Sequence, residues 1–243
     1  MILTIDVGNS RIKAAVFEND TLTELFAFPA AELSRNVAGI LKKYPNTSDA
    51  VIASVQDMAP ETLSEALKPL RCRFVSAQDP MPFVNQYKTP LTLGIDRRVL
   101  AAGATLAYPG ANRLVIDAGT CVTYDFIDAD DNYLGGAITP GLRMRYTALH
   151  DYTAKLPLPE TEMPAHWIGD STDNAIHSGV VNGLLYEIDG FINEYKAVYP
   201  KIIIILTGGD TNFLAKRLKN TIFANSNFLL ESLNLTFHYT NHK

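Results

Sequence analysis

Apolar residues fall into short runs that form two series of the same design. In the first, Leu3-Thr4-Ile5-Asp6-Val7-Gly8-Asn9-Ser10 is an apolar stretch that ends in Asp and a Gly turn. A strand-like stretch from Ile12 to Phe17, the turn Glu18-Asn19-Asp20 and a third strand from Leu22 to Phe28 follow it. The second series begins at Leu114-Val115-Ile116-Asp117-Ala118-Gly119-Thr120-Cys121, which resembles the first at a constant offset of 111 residues. It continues with Val122 to Ile127, the acidic turn Asp128 to Asn132, and Leu134 to Thr139. Such a duplication predicts two related lobes.

Helical spacing appears after each series. Leu33, Val37, Ile40 and Leu41 share one face of a helix predicted over Ala31 to Tyr44, and Ala50 to Val55 reads as a buried strand. Pro60 suits the first turn of a helix carrying Leu63, Ala66, Leu67 and Leu70. In the second half, Ser171 or Thr172 caps a long helix with Ile176, Val180, Leu184, Ile188 and Phe191 on one face. Ile202 to Leu206 is continuously apolar, as a central strand requires. Thr207-Gly208-Gly209-Asp210 then turns into a helix around Phe213 to Leu218. The pattern predicts an α/β chain of two lobes, 1–110 and 111–243, with ligands bound in the cleft between them, where strand ends converge.

Composition narrows the function classes. The chain has 243 residues, of which 47% are hydrophobic, enough for a sizeable core. Its longest apolar run falls far short of the ~20 residues of a membrane helix. Met1 leads straight into Ile2-Leu3-Thr4-Ile5 without a basic segment, which argues against a secretory signal. Two cysteines, Cys72 and Cys121, suit a reducing cytosol, so a cytoplasmic location is expected. A net charge of −5 without any Lys/Arg cluster argues against nucleic acid as a partner.

The candidate chemistry sits at the two Asp-Gly turns. A Gly after a strand lets backbone N–H groups approach a phosphate, and Ser10 and Lys13 add a hydroxyl and a cation. Asp6 beside phosphate makes sense only with a cation such as Mg²⁺ between them. A plain hairpin turn explains one such copy; its repetition at Asp117 to Thr120 points instead to a metal–phosphate clamp. Gly94-Ile95-Asp96-Arg97 opens a predicted helix through Val99, Leu100 and Ala104. There Asp96 is either a helix-start carboxylate or the acceptor of a hydroxyl proton, and Arg97 either a solvated cation or an anion ligand. Neither the P-loop nor the dinucleotide fingerprint is present.

With these residues the chain resembles the acetate/sugar kinase, heat-shock ATPase and actin superfamily, whose two phosphate loops look like Asp6 to Ser10 and Asp117 to Thr120. More narrowly it resembles the type III pantothenate kinases. The matching segments are Gly94 to Arg97, Gly135 to Gly141, Ala154-Lys155-Leu156-Pro157, Thr172 through Gly190 and Leu206-Thr207-Gly208-Gly209. The resemblance implies two ribonuclease H-like lobes, a duplicated actin-like ATPase fold, and ATP-dependent phosphorylation of pantothenate at its primary hydroxyl, the first step toward coenzyme A. It also implies ATP phosphates against Asp6, Val7, Gly8, Asn9, Ser10, Arg11, Ile12, Lys13 and Thr120. Asp96 is then the general base, and Asp117 holds a monovalent cation, K⁺ or NH₄⁺, beside Mg²⁺–ATP. Pantothenate contacts Tyr87, Gly94, Ile95, Asp96 and Arg97, with Thr172 supplied by the partner of a homodimer. Gly179, Gly183 and Gly190 suit close helix packing, in a dimer or within the monomer. Two other readings stay open: a related kinase for a sugar or short acid, and a nucleotide-binding regulator without catalysis.

Overall fold

The computed structural model describes residues 1–8, 11–54, 65, 67–68 and 70–241. Asn9, Ser10, Val55 and most of the helix expected after Pro60 lie outside the described residues. The chain forms two compact units. It passes from the first to the second at Gly110/Ala111, returns for Ile127–Leu134, and returns finally at Asn227.

The first unit is built on β1 (Ile2–Val7), β2 (Ile12–Glu18), β3 (Thr21–Phe28), β4 (Asp49–Ser54) and β5 (Arg71–Phe74), in the order β3-β2-β1-β4-β5. β1 pairs antiparallel with β2 and parallel with β4. Strand alternation divides the apolar side chains between two faces. Leu3, Ile5 and Val7 join Leu33, Val37 and Ile40 of α1 (Leu33–Lys43) in one cluster. Ile2, Ala15 and Phe17 join Val99 of α2 (Ile95–Ala107) together with Leu230 and Leu233 in another. Asp6 shares the parity of Ile2, so it belongs to the α2 face.

The second unit repeats that order. β7 (Arg113–Ala118), β8 (Cys121–Ile127), β9 (Asn132–Pro140), β10 (Ile203–Thr207) and β11 (Phe223–Ala224) run β11-β10-β7-β8-β9, and the short β6 (Val84–Asn85) pairs with Asn132 and Tyr133. The duplication extends to turn geometry: Asn19 and Asp131, each in the turn before the third strand of its series, have positive φ of 54° and 61°. Asn and Asp tolerate that region better than other side chains.

The core of this unit packs Leu114, Ile116, Val122 and Tyr124 against α3 (Leu142–Asp151) and a long helical segment. That segment comprises α4 (Thr172–His177), one π turn at Ser178–Asn182, and α5 (Gly183–Val198). The expected helix around Phe213 to Leu218 is corrected to a shorter α6 (Thr211–Leu214), because the chain tightens into a turn in which Arg217 N–H donates to the Leu214 carbonyl. The tail, for which the sequence shows no motif, forms α7 (Phe228–Asn241) in the first unit, packed on α2 and β1.

Candidate functional site

In the first unit, β1 delivers Asp6 to the strand end opposite Lys13 of β2. Burial pushes the Asp6 carboxyl up to about 6; Lys13 pulls it down and the negative charge of Asp96 raises it further. Asp6 is therefore a carboxylate incompletely matched by its one cationic neighbour, at a place where a hard cation would relieve both desolvation and Asp–Asp repulsion. Its oxygen donors fit Mg²⁺, which is held by one or two carboxylates with substrate phosphates and water completing the shell. Gly8 turns the chain tightly, since a Cβ there would lie 3.3 Å from the Arg11 carbonyl oxygen.

Asp96 stands in the first turn of α2, with its Oδ1 accepting from the Arg97 N–H at 2.8 Å. Gly94, just before the helix, lies against that carboxylate: a Cβ there would collide with Asp96 Oδ1 and displace it. Arg97 is buried, and its guanidinium lies 5.8 Å from the centroid of the Tyr87 ring, a cation–π contact. Tyr87 in turn lies 6.1 Å from the buried Tyr133 ring, and its N–H donates to Asn85 Oδ1 at 3.0 Å. The neighbouring Arg98, on which sequence reasoning was silent, is also buried and donates from Nη2 to the Asp79 carbonyl at 3.3 Å. Burial lowers its pKa, which the charge of Asp79 opposes.

In the second unit, Asp117 lies one residue before the end of β7, opposite Thr207 of β10. Gly208 follows with φ of +98°, and a Cβ there would strike Asp117 Oδ1 and the Ala118 carbonyl. Only glycine admits this approach. The Gly119 N–H donates to the Cys121 carbonyl at 2.9 Å, closing a turn that leaves Thr120 exposed. Asp117 offers oxygen donors, the type that suits a hard cation. Ser171, not Thr172, caps α4: its Oγ accepts from the Asn174 N–H at 3.2 Å. Thr172 lies exposed at the first position of that helix.

The fold thus brings Asp6, Lys13 and Asp96 into one electrostatic group and pairs Arg97 with Tyr87, whereas Thr172 is placed by α4 alone. Arg98 carried no signal in the sequence beyond its neighbour Arg97.

Two α/β units with the same strand order and an Asp-Gly turn after the first strand of each define a fold class that two structurally characterised glucokinases share. A ROK family glucokinase from Streptomyces griseus superposes with a TM-score of 0.54 over 100% of this chain and 99% of that one, at 10% identity. A glucokinase from an Antarctic psychrotroph gives 0.53 over 98% of each chain, at 12% identity. Within that class the model for type III pantothenate kinase matches residues 2–194. Type III pantothenate kinases of Flavobacterium johnsoniae and Flavobacterium psychrophilum are 63% and 52% identical to this chain over 239 residues. That span is 98% of this chain in both cases, and 98% and 99% of the respective relatives. The chain belongs to the type III pantothenate kinase family, and it phosphorylates pantothenate in coenzyme A biosynthesis.

Proposed function

We propose that Asp96 is the general base of this reaction and that Arg97 and Tyr87 hold the acceptor. The observation that carries the reading is the start of α2, where a carboxylate within electrostatic reach of Asp6 precedes a buried arginine in cation–π contact with the Tyr87 ring. Asp96 takes the proton of the pantothenate primary hydroxyl as that oxygen bonds to the γ-phosphorus of ATP. The bond from phosphorus to the β–γ bridging oxygen breaks, and ADP leaves. The transition state of such transfers is loose, so a carboxylate of modest basicity suffices. Arg97 pairs with the carboxylate of pantothenate, and its cation–π contact with Tyr87 limits the rotamers it must lose on binding.

The residues Asp6, Val7, Gly8, Asn9, Ser10, Arg11, Ile12 and Lys13 and the Thr120 hydroxyl bind the phosphates of ATP. Asp6 would hold Mg²⁺, which would neutralise phosphate charge, and Asp117 would hold K⁺ or NH₄⁺. Gly94 and Ile95 border the acceptor, and Thr172 completes its pocket from the partner subunit of a homodimer. A dimer is supported by the stripe Gly179, Gly183, Tyr186 and Gly190 on one helical face. A Cβ at any of its three glycines meets nothing within 4 Å, and Tyr186 is 58% exposed. No helix among the described residues is long and apolar enough to cross a membrane.

Steady-state kinetics of Arg97→Ala test the acceptor site. The KM for pantothenate is expected to rise about a hundredfold, the value of a charge-assisted contact left unpaired, with the KM for ATP within about twofold. Equal changes in both constants would remove Arg97 from the acceptor site.

A further inference from the structure

Tyr124, Thr139, Arg145 and Glu187 of the second unit form a connected polar network. Glu187 Oε1 accepts from the Tyr124 hydroxyl at 2.9 Å and from Thr139 Oγ1 at 2.7 Å, while its Oε2 accepts from Arg145 Nη2 at 2.6 Å. Burial pushes the Glu187 carboxyl up, but the bonds from Arg145, Thr139 and Tyr124 outweigh it and hold it below the usual range. Burial and the Glu187 charge raise the Tyr124 hydroxyl. Both members of the ion pair are largely enclosed, with side-chain exposures of 21% and 24%, so the pair is less screened than a surface salt bridge.

A second donor nitrogen of Arg145 gives this network a destination. Its Nε donates to the Pro140 carbonyl at 2.8 Å. Pro140 and Gly141 form the elbow between β9 and α3, and the Gly141 N–H donates to the Thr120 carbonyl at 3.1 Å. A Cβ at Gly141 would overlap the carbonyl oxygens of Gly119 and Thr120, so the elbow rests directly on the turn that carries the Thr120 hydroxyl.

We infer that Arg145 is a positioning residue: anchored by Glu187 on α5, it fixes the Pro140–Gly141 elbow and through it the Gly119–Thr120 turn that binds the phosphates of ATP. The inference rests on Thr120 as a phosphate ligand. The guanidinium fork reaches Glu187 and Pro140 at once; a single ammonium lacks that planar spread. Misplacing a phosphate donor by a fraction of an ångström weakens nucleotide use without unfolding the protein.

Steady-state kinetics of Arg145→Lys with both substrates, set beside Tyr124→Phe and Thr120→Val, test it. Arg145→Lys is expected to raise the KM for ATP about tenfold, the equivalent of one charge-assisted hydrogen bond, with the KM for pantothenate within about twofold. Tyr124→Phe, which removes one bond to Glu187 and leaves the elbow intact, is expected to lower Tm while the KM for ATP stays the same. If Thr120→Val raises the KM for ATP and Arg145→Lys does not, the positioning role is wrong and the phosphate reading survives. If neither variant moves it, Thr120 is not a phosphate ligand and both fall. If Arg145→Lys lowers Tm and weakens both substrates equally, the network is structural only. Should that variant be insoluble, Glu187→Gln, which keeps the shape but removes the charge and one acceptor oxygen and so weakens the anchor, is expected to raise the KM for ATP about threefold; no change in it overturns the role.

Discussion

Asp6 illustrates how a single residue can trade stability for function. Its carboxyl, raised to about 6 mainly by burial, titrates near pH 4 in an unfolded chain. Between those values the folded chain keeps a proton that the unfolded chain has released. Stability of the ligand-free protein therefore falls as pH rises through that window, by roughly 3 kcal/mol for a shift of this size. Asp6→Asn removes the charge without changing the shape. Thermal unfolding without ligands is expected to show the variant more stable than wild type at pH 7.5, with the Asp6 contribution to the slope between pH 4 and 6 gone. A variant no more stable than wild type at pH 7.5 would contradict a desolvated Asp6. Its placement at a strand end was legible, because a lone Asp after Leu3-Thr4-Ile5 has only the strand end to occupy. Its coupling to Asp96 was not, since that depends on which face α2 covers.

At the scale of elements, the predicted strands appear where apolar runs are bounded by Gly and acidic turns. The long helix over Thr172–Val198 appears where Ile176, Val180, Leu184 and Ile188 keep their spacing, and all four are buried. The π turn within it left no trace, since one extra residue per turn barely disturbs a pattern of small and apolar residues. α7 was illegible for a different reason. Its buried face mixes Phe228, Leu230 and Leu233 with Ser232, Asn234 and Thr236, so polarity does not follow the helical period. The polar members allow close approach: a Cβ on Gly103 of α2 would strike the side chain of Ser232 and come within 2.9 Å of its Cα. Gly103→Ala must push α7 away from the helix that carries Asp96. Chemical denaturation is expected to show a loss of about 3 kcal/mol, the upper range for overpacking. A loss under about 0.5 kcal/mol would mean that the two helices separate at little cost.

At the scale of the molecule, the duplicated strand-turn-strand pattern was enough to read two lobes of one fold, because local turn chemistry and strand alternation repeat together. The return of the chain to the first unit at Ile127–Leu134 and Asn227 was not legible, as it depends on long-range packing rather than on local pattern. The glycine stripe on the long helix carries the assembly proposal. Gly183→Arg meets open space within the subunit, so it is expected to leave Tm within about 2 °C while converting a dimer to monomers in sedimentation velocity. A variant that stays dimeric, or a monomeric wild type, would rule out that face as the interface. The most direct test of the chemistry is single-turnover transfer of the γ-phosphate to pantothenate by wild type and Asp96→Asn, with ATP affinity measured on the same samples. Transfer slowed about a hundredfold or more with ATP affinity intact is the predicted result. Transfer within a few-fold of wild type would contradict Asp96 as the base.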